Sequence, residues 1–177
     1  MTLLENYGVA EVYGIKWGYK GFYTDVEKNW LRLTQDNVKE IHKLGGTILG
    51  SSRGGFDADK ILDSLIKQGV SQCYIIGGDG THRGIYHLTQ QAKKRNVNIA
   101  FAGVPKTMDN DISIIDKSFG FDTCCAEAAN VVKGAYAEAT GVINGIGLVR
   151  LFGRHSGYVA QFAALYNDSA DFCLIPE

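Results

Sequence analysis

Short apolar runs recur at positions 9–15, 46–50, 73–76, 99–104, 146–151 and 172–175, most of them with glycine at or beside an end. Runs of this length bounded by turn residues predict strands. Between most of them the apolar spacing is helical. Residues 57–67 carry Ile61, Leu62, Leu65 and Ile66 on one face, and 84–95 ends in a basic Lys93-Lys94-Arg95 turn that complements a helix C-terminus. Residues 121–139, rich in Ala and Glu, form the longest candidate helix. Strand, helix, strand in succession predicts the α/β class: a doubly wound, Rossmann-like, mostly parallel sheet with crossover helices, in one domain.

Composition narrows the partner. The chain has 177 residues, 45% hydrophobic and 21% charged, with a formal net charge of −1. That is ordinary globular usage, and a nearly neutral domain attracts neither nucleic acid nor an anionic membrane strongly, so a small-molecule partner is expected. Cys73, Cys124, Cys125 and Cys173 lie among apolar neighbours without a CxxC pair, which predicts buried, reduced thiols rather than disulfides or zinc. No basic-then-apolar leader opens the chain and no run approaches ~18 apolar residues, so a soluble cytoplasmic protein is expected. The 22 glycines exceed the ~7% average and gather where strand-to-helix turns need positive φ or a close approach of backbone to ligand.

In a parallel sheet, ligands bind beyond the carboxyl ends of the strands. Four loops follow predicted strands there: Ser51-Ser52-Arg53-Gly54-Gly55, Gly77-Gly78-Asp79-Gly80-Thr81, Pro105-Lys106-Thr107-Met108-Asp109-Asn110-Asp111 and Gly153-Arg154-His155-Ser156-Gly157. Glycines in the second, Gly78 among them, let backbone N–H groups turn toward a phosphate at a helix start, which Thr81 can cap. Asp79 would repel that phosphate unless a cation lies between, which fits Mg²⁺ held through water. In the third loop, Asp109 and Asp111 can take a hydroxyl proton or hold a divalent cation, and Lys106 can face a phosphate. The two carboxylates face one way if the segment is extended and differ in role if it is turned. The alternative is an Asx-turn capping the helix that begins near Phe121. Arg53 and Arg154 suit bidentate phosphate contact, or else are solvated or docked on helices. His155 is a weaker catalytic candidate. Trp17, Tyr19 and Phe22 either stack on a base or pack in the core, and core packing is expected for at least two of them.

Together with Gly14-Ile15-Lys16-Trp17-Gly18-Tyr19-Lys20-Gly21, Gly46-Thr47-Ile48-Leu49-Gly50-Ser51-Ser52-Arg53 and Leu151-Phe152-Gly153-Arg154-His155-Ser156-Gly157, the two central loops resemble the 6-phosphofructokinase family in order and spacing over essentially the whole chain. The resemblance implies phosphoryl transfer to the 1-hydroxyl of fructose 6-phosphate. It assigns Asp109 as general base, Asp111 as a supporting carboxylate near the metal, and Thr107 to the transferring group or the sugar phosphate. Gly153 and Arg154 match the substrate motif, with Phe152 where many relatives have Met. Asp79 matches the Mg²⁺-associated aspartate; Gly80, Thr81 and Gly84 match nucleotide contacts; Arg53 and Tyr19 match phosphate-side and adenine-side contacts.

Pyrophosphate-using members have aspartate where this chain has Gly80, so the resemblance favours ATP as donor. Lys106 instead matches the pyrophosphate-type lysine, and the glycine-plus-lysine mixture resembles the ATP-dependent plant and kinetoplastid enzymes. The pyrophosphate-dependent enzyme and a catalytically silent binding or regulatory paralogue are the alternatives. Against the family pattern, the first strand with its Gly-rich loop and the C-terminal half have no counterpart, and Asn144-Gly145-Ile146 stands where bacterial relatives have an arginine reaching a neighbour's site. The expectation is an incomplete domain over 1–177, inactive alone, from an enzyme that is typically a homotetramer.

Overall fold

The computed structural model describes residues 2–154 and 156–175. Its elements are α1 (Thr2–Asn6), β1 (Tyr13–Ile15), a 3-10 helix (Gly18–Phe22), α2 (Val26–Asn29), β2 (Trp30–Arg32), α3 (Gln35–Val38), a 3-10 turn (Ile41–Lys43), α4 (Ala58–Lys67), β3 (Gln72–Gly77), α5 (Asp79–Lys94), β4 (Ala100–Pro105), α6 (Phe121–Thr140) and α7 (Tyr158–Leu165). The chain forms two compact units, one running to Cys73 with Tyr86–Phe101, the other comprising Tyr74–Ile85 and the residues from Ala102 onward. β3, α5 and β4 each divide between them.

In the first unit, β1 and β2 pair antiparallel, with Gly14 opposite Leu31. Phe22 is buried and meets the Trp30 ring edge-on at 6.4 Å, while the Trp30 indole N–H and the Ser64 hydroxyl both donate to the Phe22 carbonyl. Ser64 belongs to α4, at whose start the Asp57 carboxylate accepts the Lys60 N–H at 3.1 Å, satisfying an end-of-helix donor. Ile61, Leu62 and Leu65 are buried as expected, but Ile66 is 46% exposed, because it lies at the edge of the apolar arc. Gly21 admits no side chain, since a Cβ there would lie 1.7 Å from the Lys16 carbonyl oxygen.

β3 and β4 are neighbours in one sheet, and Ala100 donates to Ser71 O at one end as Lys106 does to Gly77 O at the other, both at 2.9 Å. The equal offset makes the pair parallel, joined by α5 as crossover helix, which bears out the α/β class. In the second unit, α6 and α7 pack through Phe121, Cys125, Ala128, Val159 and Ala163, with the Phe121 and Phe162 rings edge to face at 5.2 Å.

Three predicted strands are absent among the described residues. Gly46 and Gly50 take positive φ, which interrupts extended backbone around Thr47-Ile48-Leu49, and Leu49 O accepts a single bond from Trp17. Residues 146–151 and 172–175 have no ladder partner among the described residues, and a strand exists only where its N–H and C=O groups are paired by a neighbour. Gly145 and Gly147 instead bring the first of these segments onto α6, where a Cβ would meet the carbonyls of Ala139 and Ala135 at 2.1 and 3.0 Å. The cysteines are free, and Cys73 and Cys125 are buried as expected, but Cys124 is half-buried and Cys173 exposed.

Candidate active site

Two turns of the second unit stand side by side at the carboxyl ends of β3 and β4. In the first, Gly78 O accepts the N–H groups of Thr81 and His82 at 3.0 and 3.1 Å, so α5 starts at Asp79, directly after the strand. A Cβ on Gly77 would lie 2.3 Å from Thr81 Oγ1, so this turn requires glycine. Thr81 is therefore the third residue of the helix, packed on Gly77, and not the capping residue predicted from sequence. A Cβ on Gly80 would meet nothing within 4 Å. Asp79 sits at the positive helix end, and its Oδ2 lies 2.8 Å from Arg83 one turn on. His82 packs against β4, where a Cβ on Gly103 would come within 2.7 Å of the ring, and its buried Nε2 has no partner among the described residues. Gly84 is buried in the next turn.

The second turn touches the first. Besides the Lys106–Gly77 bond, a Cβ on Gly78 would lie 3.7 Å from Lys106 O and 3.8 Å from the Thr107 side chain. Thr107 Oγ1 accepts the Asp109 N–H at 3.2 Å, and Asn110 then takes the left-handed conformation at φ 52°. The segment is thus turned, not extended, and its two carboxylates meet different surroundings: the Asp109 side chain is 13% exposed and Asp111 lies in solvent. The Asx role falls to Asn110 rather than to either aspartate. Its Oδ1 accepts the Ser118 N–H at 2.9 Å and its Nδ2 donates to Asp116 O at 3.1 Å. Helix α6 is preceded by Gly120, with no side-chain cap.

A third loop closes on Asp109. The Ser156 hydroxyl donates to the Asp109 carbonyl at 2.8 Å, and Arg154 Nε stands 4.0 Å from Asp109 Oδ2 with its side chain 75% exposed. Gly153 has φ 142°, and a Cβ there would press on Ser156 O at 2.9 Å. Phe152 is exposed, and His155 lies outside the described residues. Gly78, Asp79, Gly80, Thr81, Lys106, Thr107, Asp109 and Arg154 thus come from three loops of one unit. Tyr19 and Arg53 belong to the first unit. There Tyr19 meets Phe56 edge-on at 5.0 Å, burial pushes its hydroxyl up to about 12, and Arg53 is exposed. Phe22 is core as expected, whereas Trp17 is largely exposed.

Sequence reasoning passed over Ser118 and Ser156. Asn110 carried a signal of its own, since asparagine tolerates the left-handed conformation and hydrogen-bonds its neighbours' backbone.

A glycine turn opening a helix, with a carboxylate loop bonded beside it on one sheet edge, defines an α/β protein with the layout that phosphoryl-transfer sites use. Residues 1–177 match the family described as Phosphofructokinase, and the chain belongs to that family. It is 51% identical over 99% of its length to ATP-dependent 6-phosphofructokinase 7 of Arabidopsis thaliana, covering 36% of that protein. It is 46% identical over 99% of its length to the ATP-dependent 6-phosphofructokinase of Borreliella burgdorferi, covering 39%, and 42% identical over its whole length to that of Trypanosoma cruzi, covering 36%. The chain thus spans little more than a third of these relatives. In fold it is similar to the Pichia pastoris phosphofructokinase in the T-state, with a TM-score of 0.73 and 22% identity over 88% of this chain and 17% of that one. The pyrophosphate-dependent phosphofructokinase of Marinobacter aquaeolei gives 0.71 and 20% over 89% and 41%. No helix of the described residues is long and apolar enough to cross a membrane.

Proposed function

We propose that this chain carries the donor-phosphate turn and the acceptor-activating loop of an ATP-dependent 6-phosphofructokinase. The reaction transfers the terminal phosphoryl group of ATP to the 1-hydroxyl of fructose 6-phosphate. The observation that carries the reading is the contact between the Gly77-Gly78 turn and Lys106-Thr107, with the sheltered Asp109 carboxylate two residues on. A donor held by the N–H groups at the start of α5 lies beside an acceptor held by the 105–111 loop. Asp109 takes the hydroxyl proton as the sugar oxygen bonds to the γ-phosphorus, and the bond from that phosphorus to the β–γ bridging oxygen breaks, releasing ADP. Arg154, beside Asp109 but mostly in solvent, is free to swing onto the sugar phosphate or onto the charge of the transferring group.

Mg²⁺ fits this edge in the manner usual for that ion. No cluster of three His, Cys, Asp or Glu forms a protein cage among the described residues, and Mg²⁺ is ordinarily held by one or two carboxylates with phosphates and water. Asp79 is the carboxylate so placed, with Asp111 as an exposed neighbour of the acceptor loop, and the ion would neutralise charge on the donor phosphates. Asp79 would then exchange its Arg83 partner for that role. The open space at Gly80 favours a nucleotide donor over pyrophosphate, and Lys106 serves either.

The test is a coupled assay of fructose 1,6-bisphosphate formation on the complete gene product. Asp109→Asn is expected to lower kcat by about 10²–10⁴ with little change in KM for ATP. Activity untouched by that substitution rejects Asp109 as base, and absence of activity in the parent favours a silent paralogue.

A further inference from the structure

The acceptor loop leaves β4 at Pro105 and returns beside it at Ser118 and Phe119. Phe119 donates to Pro105 O at 2.9 Å and forms a parallel bridge with Lys106. Between these ends its shape rests on side chains, because residues 107–118 contain no helix or strand. Asn110 binds Ser118 N and Asp116 O, and Ser118, only 5% exposed, turns its hydroxyl onto Thr107 O at 2.6 Å. Its hydroxyl also lies 3.3 Å from Asn110 Oδ1. These bonds close a ring from Thr107 through Ser118 to Asn110, and Asp109 lies on the short arc of that ring. The left-handed turn at Asn110 is what gives Asp109 and Asp111 different surroundings.

We propose that Asn110 and Ser118 are positioning residues for Asp109, forming a clasp that fixes where its carboxylate stands relative to the acceptor hydroxyl. The inference rests on the reading of Asp109 as general base. A hydroxyl proton is transferred only within hydrogen-bond reach, so displacing a base by about 1 Å costs on the order of 10²-fold in rate. The hydrogen bonds of both clasp residues stay within the 107–118 loop, away from the glycine turn of α5, so donor binding is expected to be spared.

The experiment compares the parent enzyme, Asp109→Asn, Asn110→Gly, Ser118→Ala and the Asn110→Gly/Ser118→Ala double variant in the complete gene product. Glycine at 110 keeps the left-handed conformation and removes only the side-chain bonds. Each single variant is expected to lose about 10- to 100-fold in kcat with KM for ATP within a factor of three, at protein concentrations corrected for the folded fraction by circular dichroism. The double variant is expected to be scarcely slower than either single one, because both break the same ring. If Asp109→Asn is inactive but Asn110→Gly turns over at the parent rate per folded molecule, the clasp inference is wrong and the base assignment stands. Equal loss in kcat and rise in KM for ATP, or full multiplication of the two effects, also overturns it in favour of a general structural role. If Asp109→Asn keeps the parent rate, the reading of the loop fails and takes the clasp with it.

Discussion

Gly80→Asp separates shape from charge at the turn proposed to hold the donor phosphates. A Cβ at Gly80 meets nothing within 4 Å, and the residue is exposed, so the carboxylate enters open space without moving α5. Stability should barely change. Glycine is a poor helix residue, and an anion in the first helical turn is favourable by roughly 0.3–1 kcal/mol, set against repulsion from the adjacent Asp79. The donor feels the opposite. A unit negative charge about 6 Å from a phosphate charge costs about 3 kcal/mol at an effective dielectric constant near 20, and half that in the wetter surroundings of an exposed turn. At 1.4 kcal/mol per tenfold, KM for ATP should rise about 10- to 100-fold. Steady-state kinetics with ATP varied, together with a urea unfolding curve, measures both. A folded variant whose KM for ATP stays within threefold of the parent refutes the assignment of Gly80 to the donor side. A variant that loses more than about 2 kcal/mol of stability refutes the claim that the space is free.

Phe121→Ala should cost about 3–5 kcal/mol, since the ring is 1% exposed and packs edge-on against Phe162; a urea midpoint equivalent to less than 1 kcal/mol would show that the α6–α7 core collapses around the gap. Gly21→Ala should lose about 3 kcal/mol, because the new methyl overlaps the Lys16 carbonyl and only backbone can yield; a melting curve matching the parent's would contradict that contact. Burial pushes the Cys73 thiol up to about 11 from an ordinary 9.0, so the folded state keeps a proton that the unfolded chain releases. Its contribution is complete below pH 9 and is lost as pH rises through 11, to about 2–3 kcal/mol in all. Urea titrations at pH 8 and pH 11, parent against Cys73→Ala, read it as a smaller drop in the variant; an equal drop would exclude Cys73.

The parts legible in sequence were those whose physics is local. The apolar arc of α4, the glycine turn at the head of α5, and the placing of Lys106 and Asp109 directly after a strand all follow from contiguous residues. Helix α5 still began earlier than its periodicity implied, because the Gly77-Gly78 turn is tight enough to start the helix at Asp79. The segments 146–151 and 172–175 read as strands from composition alone, but whether such a run becomes a strand depends on a partner across the ladder. Within the site, sequence determined which groups were present and left open whether Asp109 and Asp111 meet the same surroundings. Tertiary structure resolved that point: Asn110 turns the backbone left-handed, and Ser118 and Ser156 reach the loop from 11 and 47 residues along the chain to hold the Thr107 and Asp109 carbonyls. Bonds of that span leave no periodic trace, because they depend on where two distant segments meet and not on the residues beside either of them.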